Sequence, residues 1–184
     1  MLVLASASPR RLELLRNAGI EFVVHPGNVP EIPEDGELPR AFAERMAREK
    51  ALAVFAQRPN DLVLGADTVV VVDGEILGKP RDAADAARML RMLSGRKHEV
   101  ITGVCLAGPK LVREDTRSET TLVIMNTLSE DDIRSYVATA EPMDKAGAYA
   151  IQGMASRWIS RIEGDYFNVV GLPVALVWRM LKEA

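Results

Sequence analysis

The sequence predicts a mixed α/β fold, one continuous unit over residues 1–184 in which a mixed sheet and flanking helices build two lobes separated by a cleft. Three observations carry this. Short apolar runs alternate with stretches of helical periodicity. Two long runs, His98–Ala107 and Val112–Asn126, read as strands long enough to give a sheet that bridges both lobes. No repeat, low-complexity stretch or linker interrupts the chain.

In chain order, Leu2–Ala5 reads as a short buried strand. Ser8 suits an N-cap and Pro9 the first helical position. Leu12, Leu14, Leu15 and Ala18 give an apolar helical face, with Gly19 as its stop. Ile20–Val24 reads as a second strand, followed by a loop rich in Pro and acidic residues over Pro26–Glu37. A helix is predicted over Pro39–Ala56, then a strand over Leu62–Leu64 with Gly65-Ala66-Asp67 at its end. Thr68–Val72 and Ile76-Leu77 flank Asp73-Gly74, the signature of a tight hairpin. Asp82 with Asp85 resembles a variant capping box for a helix ending near Leu93. After the two long strands, Ser129–Asp132 opens another helix. Trp158–Ile162 reads as a strand and Pro173–Leu181 as a final helix, with both Trp158 and Trp178 in the core.

Composition narrows the function classes. Hydrophobic residues make up 48% of the chain and charged residues 27%, which suits a compact globular protein. The formal net charge of −3 gives no basic field for nucleic acid or an anionic membrane surface. Cys105 is the single cysteine, so no internal disulfide forms and a reducing compartment fits. It sits in the apolar run Val100–Leu106, which predicts a packing role rather than a nucleophile. Neither a signal peptide nor an apolar run of about 20 residues is present, and the expected location is the cytoplasm.

Four constellations bear on chemistry. Ser6-Ala7-Ser8-Pro9-Arg10-Arg11 joins a strand to a helix start, where unpaired N–H groups and two guanidiniums suit a phosphate. A capped surface helix with solvated arginines is the alternative. Asp67, in Gly65-Ala66-Asp67-Thr68 beside apolar residues, needs a hydrogen bond, a metal or a functional partner if buried; the alternative is a turn aspartate bonded to its own backbone. Lys50, Lys79 and Lys145 each read singly as a solvated side chain. Together with Arg10 and Arg11 they suffice to neutralise a triphosphate, with Glu31 and Asp67 able to hold Mg²⁺ against it. Gln152, between Ile151 and Gly153, reads either as a loop amide or as a contact to a ligand edge. His98 reads as structural. Walker, dinucleotide-fingerprint, paired-histidine and nucleophile-elbow motifs are all missing.

Six ordered blocks give the chain a family resemblance along nearly its whole length: Leu4-Ala5-Ser6-Ala7-Ser8-Pro9-Arg10-Arg11, Ala47-Arg48-Glu49-Lys50-Ala51, Gly65-Ala66-Asp67-Thr68-Val69-Val70, Gly78-Lys79-Pro80, Leu93-Ser94-Gly95 with His98 and Thr102-Gly103-Val104, and Gly171-Leu172-Pro173. The chain resembles the Maf family of nucleoside triphosphate pyrophosphatases. The resemblance implies a deep cleft in an α/β fold of Maf/ITPase-like type, a homodimer, and a divalent metal cation, Mg²⁺ or Mn²⁺. It implies a catalytic role for Asp67 and Lys79, and phosphate binding by Ser8, Arg11, Lys50 and Lys79. Arg10, Thr68 and Gln152 are the residues it ties to substrate choice, and its cleft glutamate falls on Glu31, which with Asp67 makes the expected metal pair. The segment Glu141-Pro142-Met143-Asp144-Lys145-Ala146-Gly147-Ala148-Tyr149 is similar to the branch that acts on dTTP and UTP, although Ala150 stands where that branch commonly has glycine.

The expected reaction is hydrolysis of dTTP and UTP to the monophosphate and pyrophosphate. Two other readings stand beside it: a nucleotidyltransferase, which needs an acceptor, and a non-enzymatic nucleotide-binding regulator of cell division.

Overall fold

The computed structural model describes residues 1–184. Seven strands and six α-helices follow one another as β1 (Leu2–Leu4), α1 (Pro9–Asn17), β2 (Val23–Val24), α2 (Pro39–Phe55), β3 (Leu62–Val72), β4 (Glu75–Leu77), α3 (Ala83–Leu93), β5 (Lys97–Ala107), β6 (Asp115–Met125), α4 (Glu130–Ala138), β7 (Ile159–Glu163), α5 (Tyr166–Val170) and α6 (Val174–Glu183). The predicted mixed α/β class is the observed one. All strands share one sheet in the order β2-β1-β3-β5-β6-β7, with β4 also pairing β3. Pairing is parallel for β1 with β2 and β3, and antiparallel for β3 with β4 and β6 with β7. No helix is long and apolar enough to cross a membrane.

The chain forms two compact units, the first from Met1–Thr68, Thr102–Glu119 and Gly171–Ala184, the second from Val69–Ile101 and Thr120–Val170. In the first, Val3, Val63 and Cys105 from three strands pack with Ala47, Ala51 and Val54 of α2. Burial pushes the Cys105 thiol up to about 11, so it stays a neutral packing group. In the second, Leu77, Leu90, Leu93, Val100, Ile133 and Tyr136 belong to one cluster. Each such side chain contributes about 1.5–3 kcal/mol when fully buried.

Three sequence expectations need correction. The predicted break at Gly65-Ala66-Asp67 is absent: β3 runs unbroken for eleven residues. One edge of β3 pairs with β1 over Leu62–Leu64 and with β4 over Val70–Val72, while β5 borders it in the sheet. Asp67 therefore lies inside a strand, in the interval where that edge changes partner. Second, Trp178 is not core; it is 49% exposed, with Lys182 Nζ 4.6 Å above its ring, because α6 buries Leu176, Val177 and Met180 instead. Third, the second strand is confined to Val23–Val24. The Asp73-Gly74 hairpin forms as predicted, both residues at positive φ (52° and 78°) and Val72 opposite Glu75.

Candidate active site

α2 sets the site. Its apolar residues recur at helical spacing, with Phe42, Met46 and Val54 four or eight positions apart, and Lys50 falls on the same buried stripe. The helix lies directly on the sheet at Gly65 and Gly103. A Cβ on Gly65 would meet Ala47 O and come within 2.8 Å of Ala51 N, and one on Gly103 would meet Ala43 O. Only glycine permits this approach, and the approach brings the Lys50 ammonium to β3.

There Lys50 Nζ donates to Asp67 Oδ1 at 2.6 Å and to Glu31 Oε1 at 2.7 Å. Lys50 and Asp67 are each 7% exposed, whereas Glu31 comes from the exposed loop before α2. A buried lysine must be paired, and two carboxylates from separate segments do this. Burial pushes the Asp67 carboxyl above its ordinary range, while the charges of Lys50 and Arg11 pull it down.

Arg11, the third residue of α1, is also buried. Its Nε donates to Gly171 O (2.8 Å), Nη1 to Ala66 O (2.9 Å) and Ser6 Oγ (3.2 Å), and Nη2 to Thr68 Oγ1 (3.0 Å). These bonds engage four of the five N–H groups of a guanidinium; one Nη2 hydrogen remains for an anion. Burial lowers the guanidinium pKa from its usual value, and the Asp67 charge opposes this. Thr68 Oγ1 also lies 2.9 Å from Thr102 Oγ1. Arg11 thus fixes the β1–α1 loop to the residues on either side of Asp67. Thr102 and Gly171 stand in the resemblance blocks without a role, because a hydroxyl and a carbonyl so far along the chain from their partners carry no local signal, whereas Ser6 lies five residues from Arg11 in the loop already read as suited to a phosphate.

Ser8 occupies the N-cap of α1, as predicted, but its side chain makes no capping bond. The first turn of α1 contains no acidic residue, so the N-terminal end of the helix, with the half-buried Arg10 and Ser8, presents a partial positive charge suited to an anion.

The structure thus gathers Glu31, Lys50 and Asp67 in one ion-paired group, and Arg11 with Thr68 in a second group tied to Ala66. Lys79 and Gln152 are carried by the second unit. Lys79 is exposed between Gly78 and the buried Pro80, and Gly78 O accepts from Gly147 N at 3.1 Å. Lys145 is spent locally on Glu141 O and Asp144 Oδ1. Gln152 is exposed on a turn whose neighbours are held from below. The Tyr136 hydroxyl donates to Glu141 Oε1 at 2.7 Å and accepts from Ala150 N at 3.3 Å; Met154 N donates to the same Glu141 oxygen at 3.1 Å. Tyr136 carries no sequence signal for this role and Glu141 is marked only as part of the resembling segment, because both act through a turn of irregular backbone.

Asp67 and Glu31 are the residues that could hold a divalent cation. Both direct an oxygen at one point, which the Lys50 ammonium occupies. No group of three or more His, Cys, Asp or Glu side chains is placed to hold a metal ion, so other coordination positions would fall to water and substrate, a pattern common for Mg²⁺.

The family model for Maf-like proteins matches residues 1–184. A protein of Koribacter versatilis named dTTP/UTP pyrophosphatase is 60% identical over 183 residues, covering 100% of this chain and 94% of the relative. One of the same name from Geobacter sulfurreducens is 53% identical, covering 98% and 95%. Among solved structures, the Staphylococcus aureus Ham1 protein aligns with a TM-score of 0.48 at 15% identity, covering 99% of this chain and 98% of that one. With its full length matched, this chain belongs to the Maf family.

Proposed function

We propose that this protein hydrolyses dTTP and UTP to the monophosphate and pyrophosphate with a divalent cation. The observation that carries the reading is the buried Lys50–Asp67 pair with Glu31, beside an α1 start that suits an anion. The names of the relatives from Koribacter and Geobacter supply the substrate class.

In the reaction a water oxygen attacks the α-phosphorus and the bond from that phosphorus to the α–β bridging oxygen breaks. Pyrophosphate leaves with the bridging oxygen, and one proton of the water goes to a base. Asp67 orients this water or accepts its proton. Asp67 and Glu31 would hold the cation, which supplies charge neutralisation and polarisation of phosphate oxygens. Lys50 and Lys79, with the remaining N–H of Arg11 and the Ser8 end of α1, bind the phosphates and stabilise the leaving group. Positioning and charge neutralisation dominate phosphoryl chemistry. Lys79 enters this assignment through the family resemblance and its charge. Arg10, Thr68 and Gln152 determine which base is accepted. The reading carries with it a cytoplasmic homodimer, which size-exclusion chromatography with light scattering checks.

Incubation of the purified protein with single nucleotides and Mg²⁺, without any acceptor, tests the activity. Pyrophosphate release from dTTP and UTP is the expected result. Silence until an acceptor is added would favour nucleotidyl transfer, and binding without turnover a regulator.

A further inference from the structure

The group formed by Glu31, Lys50 and Asp67 presents a conflict. Asp67 and Glu31 aim their oxygens at one point, and an ammonium already occupies it at 2.6 and 2.7 Å. A divalent cation takes carboxylate oxygens at about 2.0–2.6 Å, so one bound by both carboxylates would fall close to the present place of Nζ. Two cations so close repel strongly where Lys50 and Asp67 are 7% exposed. Lys50 therefore has to withdraw when a metal enters. The withdrawn ammonium is on a buried helix stripe and is costly to leave without an anion. A triphosphate supplies that anion.

We infer that Lys50 holds the metal's place in the nucleotide-free protein, and that it passes from the carboxylates to the phosphates as metal and nucleotide bind together. This rests on the metal-dependent hydrolysis proposed above and assigns Lys50 a switching role beyond phosphate binding. Before substrate arrives, the lysine keeps Asp67 and Glu31 converged against their mutual repulsion. It also lowers the affinity of the site for free cations. Metal and nucleotide are then positively coupled, each favouring the arrangement of Lys50 that the other needs.

The test is Mn²⁺ binding to nucleotide-free protein, followed by electron paramagnetic resonance of free Mn²⁺. Lys50→Gln removes the competing charge and is expected to bind Mn²⁺ at least about tenfold more tightly than wild type, within the usual range of coupling between sites. Lys50→Met, which keeps the aliphatic stem, is expected to do the same, and provides the measurement if Lys50→Gln does not fold by circular dichroism. A non-hydrolysable α,β-methylene triphosphate should tighten Mn²⁺ binding to wild type, and much less so to either variant. Unchanged or weaker Mn²⁺ binding in the folded variants without nucleotide overturns the inference. Hydrolysis of dTTP by wild type that survives EDTA would instead remove the metal from the proposed function, a result read separately from the Mn²⁺ titration.

Discussion

The carbonyl oxygen of Ala47 in α2 occupies the space that a side chain on Gly65 of β3 would need. The Ala51 backbone nitrogen, 2.8 Å from the same position, closes it from the next turn. Backbone on both sides cannot rotate away, so Gly65→Ala must push α2 off the strand. Overpacking of this kind costs about 1–3 kcal/mol, and here it also displaces Lys50 from Asp67. Gly65→Ala is expected to lower Tm by several degrees and to reduce turnover more than its stability loss explains. Gly78→Ala, whose added carbon meets nothing within 4 Å, serves as the control. A Gly65→Ala protein with wild-type Tm and turnover would refute the close approach.

Asp67 sits where β3 has left β1 and not yet met β4, with its carboxylate on Lys50. Asp67→Asn keeps the shape of the side chain and removes its charge and most of its basicity. Turnover of dTTP at saturation is expected to fall at least about 10²-fold, the scale of a lost general base, with an unchanged circular dichroism spectrum. Turnover at the wild-type rate would remove Asp67 from the mechanism.

Much of this was legible in the sequence, and the failures have physical causes. The hairpin at Asp73-Gly74 and the cap of α4 were readable because turn and cap chemistry is local; Ser129 and Asp132 form the reciprocal capping box. β3 was misread because Gly65-Ala66-Asp67 looks like a turn, whereas the glycine serves a helix packed from above and the aspartate an ion pair. A signal for Lys50 was present: it lies four residues from both Met46 and Val54, on the stripe that α2 buries. A lysine there demands carboxylate partners, but which ones depends on contacts 17 and 19 residues away. The segment 141–158 was illegible for another reason. Its 3-10 turns follow Ala140 and contain Ala148, non-glycine residues at φ 61° and 59°, a conformation set by tertiary contacts rather than local preference.

The His98 imidazole, 2% exposed, bonds Tyr149 OH through Nε2 at 2.8 Å, and its Nδ1 has no partner. Burial pushes its pKa down to about 4 from the usual 6.5. In the unfolded chain the ring takes a proton as pH falls below 6.5, and in the folded protein it does not. The unfolded state then binds more protons, so stability falls as pH drops from 6.5 towards 4. The contribution is fully present above 6.5 and its loss amounts to about 3 kcal/mol over the window. Urea unfolding at pH 7, 6 and 5 should show this slope, and His98→Gln, which keeps a donor towards Tyr149, should be flatter. Equal slopes in the two proteins would show that His98 does not govern the acid response.

The proposed base choice assigns the reading of the pairing edge to Gln152. A uracil or thymine ring presents a carbonyl oxygen beside an N–H on its pairing edge, and a glutamine amide offers the complementary donor and acceptor. Cytosine reverses that pattern, and a site that leaves buried groups unpaired rejects the wrong ligand strongly. The amide must be aimed, and the turn bearing it is fixed on both sides: Ala150 N to the Tyr136 hydroxyl, Met154 N to Glu141. Gly153 admits this clamp, since a Cβ there would collide with the Glu141 carboxylate. Wild type is expected to show higher kcat/KM for dTTP and UTP than for CTP, dCTP, ATP and GTP. Gln152→Ala should narrow the gap, and Glu141→Ala should narrow it in the same direction, raising KM for dTTP while sparing kcat. Equal efficiency across the bases in wild type would sink the pyrimidine assignment. An unchanged gap in Gln152→Ala would remove only that amide from base recognition, and an unchanged gap in Glu141→Ala alone would show that the turn holds its shape without the clamp.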